Sequence, residues 1–121
     1  MDLLKNQKAE QIQINLLNLV PVRNIEWERN EDGLVVLLKP KFKHPFLMKH
    51  LLPRMKKPHY KIRLDDVGTF IWELIDGSLT VRELAKSLKD KFGETVEPLY
   101  DRLAPFLQSL ERNRFIYYRN L

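Results

Sequence analysis

LDDVGTFIWELIDGSLTVRELAKSLKDKFGETVEPLYDRLAPFLQSLERNRFI, residues 64–116, is the most regularly patterned part of the chain. Its apolar spacing and its punctuation describe three successive helices. Asp65 or Asp66 caps the first, which carries Val67, Phe70, Ile71 and Leu74 on one face. Asp76-Gly77 closes it, the glycine being suited to a left-handed cap. Thr80-Val81-Arg82-Glu83 has the spacing of a capping box, in which the threonine hydroxyl and the glutamate carboxylate each satisfy a backbone N–H of the first turn. It opens a second helix that turns Val81, Leu84, Ala85, Leu88 and Phe92 to the core and ends at Gly93. Thr95 is read as the cap of a third helix with Pro98 in its first turn. Its apolar positions are Val96, Leu99, Tyr100, Leu103, Phe106, Leu107 and Leu110. Pro105 lacks an N–H and crowds the preceding turn, so a kink or a split is expected there. Phe115 to Tyr118 reads as a short apolar tail.

Towards the N-terminus the period changes from helical to alternating. His59 to Leu64 sends Tyr60, Ile62 and Leu64 one way and His59, Lys61 and Arg63 the other, which reads as a strand. Ile25 and Trp27 alternate with Glu26 and Glu28 within Asn24 to Arg29. Asn30-Glu31-Asp32-Gly33 is a turn, and Leu34 to Leu38 resumes as a second strand. That strand is apolar throughout, which calls for cover on both faces. Pro40 to Pro58 is an insertion with four prolines; Phe46 to Leu52 within it fits two helical turns opened by Pro45, and either it or the N-terminal helix could serve as a lid. Ile12, Leu16, Leu19 and Val20 fit a helical stripe ended by Pro21. The expected fold class is α+β: a winged-helix-like domain with a three-stranded antiparallel meander before a three-helix bundle. An N-terminal extension over 1–22 and a basic insertion over 40–58 complete a single domain of 1–121.

A chain of 121 residues suits one domain. Its longest apolar run, Leu34 to Leu38, is far short of the roughly 20 residues of a spanning helix, and no secretory signal is read at the start, so a cytoplasmic protein is expected. The absence of cysteine excludes disulfides, thiolate zinc sites and cysteine nucleophiles. The net charge of +5 is uneven. Gly33 to Leu64 holds no acidic residue and nine lysines and arginines, which leaves −4 for the remainder. Such a local field fits solubility, or an acidic partner.

The sequence shows no phosphate loop, no nucleophile elbow and no convergent set of titratable groups, so no enzyme and no cofactor are expected. His44, His50 and His59 have no recognised zinc spacing and no neighbouring carboxylate, and are read as surface histidines of a basic segment. A DNA-binding winged helix, as in a transcriptional regulator, is the alternative reading of the three helices. The third helix, however, starts with Glu94-Thr95-Val96-Glu97 and is neutral overall, which suits phosphate poorly and argues against nucleic acid as a partner. The insertion also has the mixture of apolar and basic residues found at membrane surfaces, though it is short and broken by prolines. The strand His59 to Leu64 has an edge that could accept an extended peptide; it equally fits an ordinary edge blunted by lysine.

The pattern from Leu64 to Ile116 resembles the family of pyrroloquinoline quinone biosynthesis protein D. The features that carry the likeness are the strand ending in Leu64, the helix with Phe70, Ile71 and Leu74, and the Asp76-Gly77 break before Thr80-Val81-Arg82-Glu83-Leu84. The last helix ending at Leu110 and the exit Phe115-Ile116 complete it. The hairpin from Ile25 to Leu38 fits the family's first two strands. The resemblance implies a peptide-binding accessory protein, a recognition element that takes the leader of a ribosomally made precursor and presents it to a modifying enzyme, often a radical S-adenosylmethionine enzyme. It further implies that the leader adds as a strand beside the third strand, in a groove shared with the last helix. That marks His59, Tyr60, Lys61, Ile62, Arg63 and Leu64 together with Tyr100, Leu103, Phe106, Leu107 and Leu110 as peptide-binding positions. An acidic leader would suit Lys61, Arg63 and the insertion. Relatives commonly join the second and third strands by a tight turn, so the insertion and the N-terminal extension set this chain apart. A homodimer is left open.

Overall fold

The computed structural model describes residues 16–121, and the chain divides into two compact units. One holds residues 25–69; the other holds the described residues before 25 and residues 70–121. The elements in order are β1 (Pro21–Arg23), β2 (Trp27–Arg29), β3 (Val35–Pro40), α1 (Pro45–His50), β4 (His59–Arg63), α2 (Asp66–Leu74), α3 (Val81–Phe92), α4 (Leu99–Arg112) and β5 (Ile116–Tyr118). The class is α+β with antiparallel sheets. The expected N-terminal helix falls mainly on residues 1–15, outside the described residues; residues 16–18 are helical.

In the unit of residues 25–69, β2, β3 and β4 form an antiparallel sheet in that order. The turn after β2 is built as its residues dictate. The Asn30 side chain accepts the N–H groups of Asp32 and Leu34, both at 3.0 Å, and Gly33 takes a φ of +79°. Val35, Val36 and Leu37 are all buried, as a strand covered on both faces must be. The lid expected of the insertion is thinner than its composition suggests. Helix α1 opens with Pro45, as expected, but contributes no buried residue; Leu52, in the 3₁₀ turn Leu52–Arg54, is the insertion's buried side chain. Asp65 is the cap of α2: its carboxylate accepts the Gly68 N–H at 2.7 Å. One turn in, the buried Thr69 hydroxyl accepts the Val35 N–H at 3.0 Å, while the Val35 carbonyl accepts from Leu64 at 2.9 Å.

The buried face of α2 is rotated from the expected one. Gly68, Ile71, Trp72 and the following Ile75 are buried, whereas Val67, Phe70 and Leu74 are half-buried. Most side chains of this helix are apolar, so periodicity alone leaves the face open. The helix turns Glu73 out, and the positions opposite it go in.

In the other unit the capping box at Thr80 and Glu83 forms as read. Val81, Leu84, Ala85 and Leu88 are buried, and the half-buried Phe92 ring meets Phe70 edge-on at 5.6 Å. Three expectations need correction. Thr95 does not cap α4. Residues Gly93–Val96 form a 3₁₀ turn in which the Thr95 hydroxyl donates to the Phe92 carbonyl, and the Glu97 carboxylate accepts the Leu99 N–H instead. Of the kink or split expected at Pro105, the split does not occur, for α4 is continuous through it; that residue is exposed, so the carbonyl it leaves unpaired one turn back can be hydrated. The tail is a strand. β5 pairs antiparallel with β1, Pro21 opposite Tyr118, with Ile116 and Tyr118 buried and Tyr117 exposed. A Schellman closure turns the chain from α4 into β5. Phe115 donates to the Leu110 carbonyl and Arg114 to that of Glu111, with Arg114 at a φ of +61°. Asn120 then clamps the N-terminal side, its amide accepting from the Val20 N–H and donating to the Asn18 carbonyl.

Replacing Thr69 by valine strands the buried Val35 N–H and should cost roughly 1–3 kcal/mol of unfolding free energy. Urea denaturation followed by circular dichroism checks this, and Thr69→Ser, which keeps the acceptor, should lose less. Tyr118 offers a second test. Its hydroxyl is buried and has no hydrogen-bond partner among the described residues, and burial followed by the charge of Glu111 pushes its pKa up from 10.0 to about 12. The folded state thus favours the neutral phenol. Stability present below pH 10 should decline as the pH rises through about 12. Tyr118→Phe should lower stability little at neutral pH and make the alkaline decline shallower.

Candidate functional site

The sequence-marked positions fall in two places. His59 to Leu64 lie in the unit of residues 25–69, and the α4 positions lie in the other unit. Within α4, Leu103, Leu107 and Leu110 are buried, Phe106 is half-buried and Tyr100 is 51% exposed. The three leucines therefore serve the interior of their unit, and Tyr100 is the marked helix residue with most free surface. Tyr100 also lines, with Leu16, Leu17, Val81, Leu103 and Gln108, a cavity of about 690 Å³ in that unit.

β4 is built as an edge. Its register with β3 sets Arg63 opposite Val36, Ile62 opposite Leu37, Lys61 opposite Leu38, Tyr60 opposite Lys39 and His59 opposite Pro40. The Leu64-to-Val35 bond and the Lys41-to-Pro58 bond fix the phase of the ladder. In an antiparallel pair, residues alternate between turning both backbone groups to the partner strand and turning both away. Tyr60, Ile62 and Leu64 thus face β3. The N–H and C=O groups of His59, Lys61 and Arg63 point to the outer side, and among the described residues no strand takes them up.

The sheet's two faces differ. Trp27, Arg29, Val35, Leu37, Lys39, Tyr60 and Ile62 share one; Tyr60 is 56% exposed and Lys41 lies over its ring at 5.4 Å. The other carries Glu28 on β2, Val36 and Leu38 on β3, and His59, Lys61 and Arg63 on β4, so its charge runs from acidic to basic across the sheet. Lys61 reaches over β3 to Glu28 at 3.1 Å. Both side chains are largely exposed, so the pair adds little stability but orients the lysine. Beside it the end of the insertion returns. Lys56, Lys57, His59 and Lys61 line a cavity of about 490 Å³ with Glu28 and Leu38. Sequence reading marked the strand but not this cavity, because Glu28 and Lys56 become neighbours only through the register.

The three histidines have separate settings. His44 Nδ1 accepts the Phe46 N–H at the start of α1, the His50 ring packs on Phe46 with centroids 4.7 Å apart, and His59 lines the cavity. Among the described residues no group of acidic or histidine side chains could hold a metal ion, and no helix is long and apolar enough to cross a membrane.

The profile of coenzyme PQQ synthesis protein D (PqqD) matches residues 50–116, more than half of the chain. The chain belongs to the PqqD family. The matched stretch of this PqqD-family protein contains β4, its open edge and the three longer helices among the described residues, whereas the hairpin of β2 and β3 lies before it. No curated protein matches the chain, and no solved structure does.

The edge geometry has a direct readout. In amide hydrogen exchange of the full chain, the N–H groups of Lys61 and Arg63 should exchange faster than those of Ile62 and Leu64. Equal protection along the strand would mean that another segment already pairs with this edge.

Proposed function

We propose that this PqqD-family chain is a non-catalytic, cytoplasmic accessory protein that binds the leader of a ribosomally made precursor peptide by strand addition to β4 and presents it to a modifying enzyme. The observation that carries the reading is the outer side of β4, where the backbone groups of His59, Lys61 and Arg63 stand unpaired among the described residues within the family-matched stretch. An extended peptide gains main-chain hydrogen bonds there, and its alternating side chains meet the two faces of the sheet in turn. The resemblance to the family adds the class of partner: a modifying enzyme such as a radical S-adenosylmethionine enzyme. The reading takes residues 1–121 as one winged-helix-like domain, with residues 1–22 as its extension, 40–58 as its insertion and α2, α3 and α4 as its bundle. Of the α4 positions, Tyr100 and Phe106 have surface to offer a ligand, whereas Leu103, Leu107 and Leu110 hold the helix in place.

The edge can be blocked without touching the ladder. Lys61→Pro removes an outward N–H and leaves every bond to β3 intact, a substitution that edge strands tolerate. Titration of the labelled full chain with candidate leader peptides should move the amide resonances of His59–Leu64. Lys61→Pro should abolish binding, and Lys61→Ala should keep most of it. Shifts scattered away from this strand, or undiminished binding by Lys61→Pro, would overturn the reading.

A further inference from the structure

The cavity beside β4 gives the open edge a chemical preference. Its charged lining is Lys56, Lys57 and Lys61 against the single carboxylate of Glu28, with Leu38 in its wall. Glu28 shows that a carboxylate fits there, since it already sits 3.1 Å from the Lys61 ammonium. Lys56 and Lys57 are exposed and have no ion pair among the described residues, and residues 33–64 contain no acidic side chain to neutralise them. The excess of positive charge therefore stands next to an unpaired strand edge.

From this we infer that the cavity selects an acidic strand: a peptide whose alternate residues are Asp or Glu on the Lys61 face, with apolar or aromatic residues between them. The inference rests on the strand-addition reading and deepens it. Residues directly opposite one another in paired strands share a face. A peptide residue set against Lys61 therefore lies over the cavity, and the next lies beside the Tyr60 ring or Ile62 on the opposite face. An incoming carboxylate takes Lys61 from Glu28 and is joined by Lys56 and Lys57. The geometry favours a peptide over a nucleic acid, because the outward carbonyls of His59, Lys61 and Arg63 would meet phosphate oxygens with like partial charge. A peptide N–H complements them.

The test uses the full chain and a displayed library of random short peptides. Selection should enrich sequences that alternate acidic with apolar residues. One synthetic winner and its Glu→Gln counterpart are then compared by titration, with thermal unfolding as the control for folding. The acidic form should bind roughly tenfold more tightly, the sum of a few cross-strand charge pairs. The double change Lys56→Glu and Lys57→Glu should erase or invert that ratio, and Glu28→Gln should raise the affinity of the acidic form. An unchanged ratio in the double variant, with binding still lost in Lys61→Pro, overturns the charge selection and leaves strand addition standing. Equal binding by Lys61→Pro overturns both. Displacement of the peptide by a single-stranded oligonucleotide assigns the basic row to nucleic acid and overturns the inference.

Discussion

Val35 uses its two backbone groups in different ways. Its carbonyl accepts from Leu64 and completes the ladder, while its N–H leaves the ladder for the hydroxyl of Thr69. This divergence decides where sheet pairing stops and helix begins. The chain can leave β4, cap α2 on Asp65 and bring a buried threonine back to the start of β3, so that the Val35 N–H keeps a partner. It also fixes the phase of β4. With Leu64 turned to β3, Ile62 and Tyr60 must turn the same way, and His59, Lys61 and Arg63 are left facing outward. The polarity of the candidate site thus follows from the register that this bond marks at one end of the strand and the Lys41-to-Pro58 bond marks at the other.

What the sequence makes legible is what local chemistry decides. The Thr80–Glu83 box, the Asn30–Gly33 turn and the alternation of His59 to Leu64 rest on residues within a few positions of one another, and all are realised. The pairing of β1 with β5 joins three-residue strands from the two ends of the described chain, and nothing local announces it. The face of α2 is ambiguous because Val67, Phe70 and Leu74 are as apolar as Ile71, Trp72 and Ile75. Thr95 has the chemistry of a cap but spends its hydroxyl on the Phe92 carbonyl, a local competition that such residues often win.

The candidate site divides along the same line. The strand was readable from its period; the direction of its backbone groups was not, because that needs the register with β3. An apolar stripe on a helix reads identically whether it fills a core or lines a groove. Burial separates Leu103, Leu107 and Leu110 from Tyr100. The cavity lies beyond sequence reading because it joins a β2 glutamate, a β3 leucine and the last lysines of the insertion, which the fold alone makes neighbours.

The graded charge of the sheet bears on how copies of this chain meet. On the face that carries Lys61 and Arg63 of β4, the other edge strand, β2, carries Glu28, so on that face the two ends of the sheet attract rather than repel. Repeated end to end, that attraction would build an open row of sheets instead of a closed pair. Length works against it, for β2 offers three residues to the five of β4, and a short edge is a poor template for a longer one. The asymmetry in strand length thus works against pairing of the open β4 edge with β2 of a second copy.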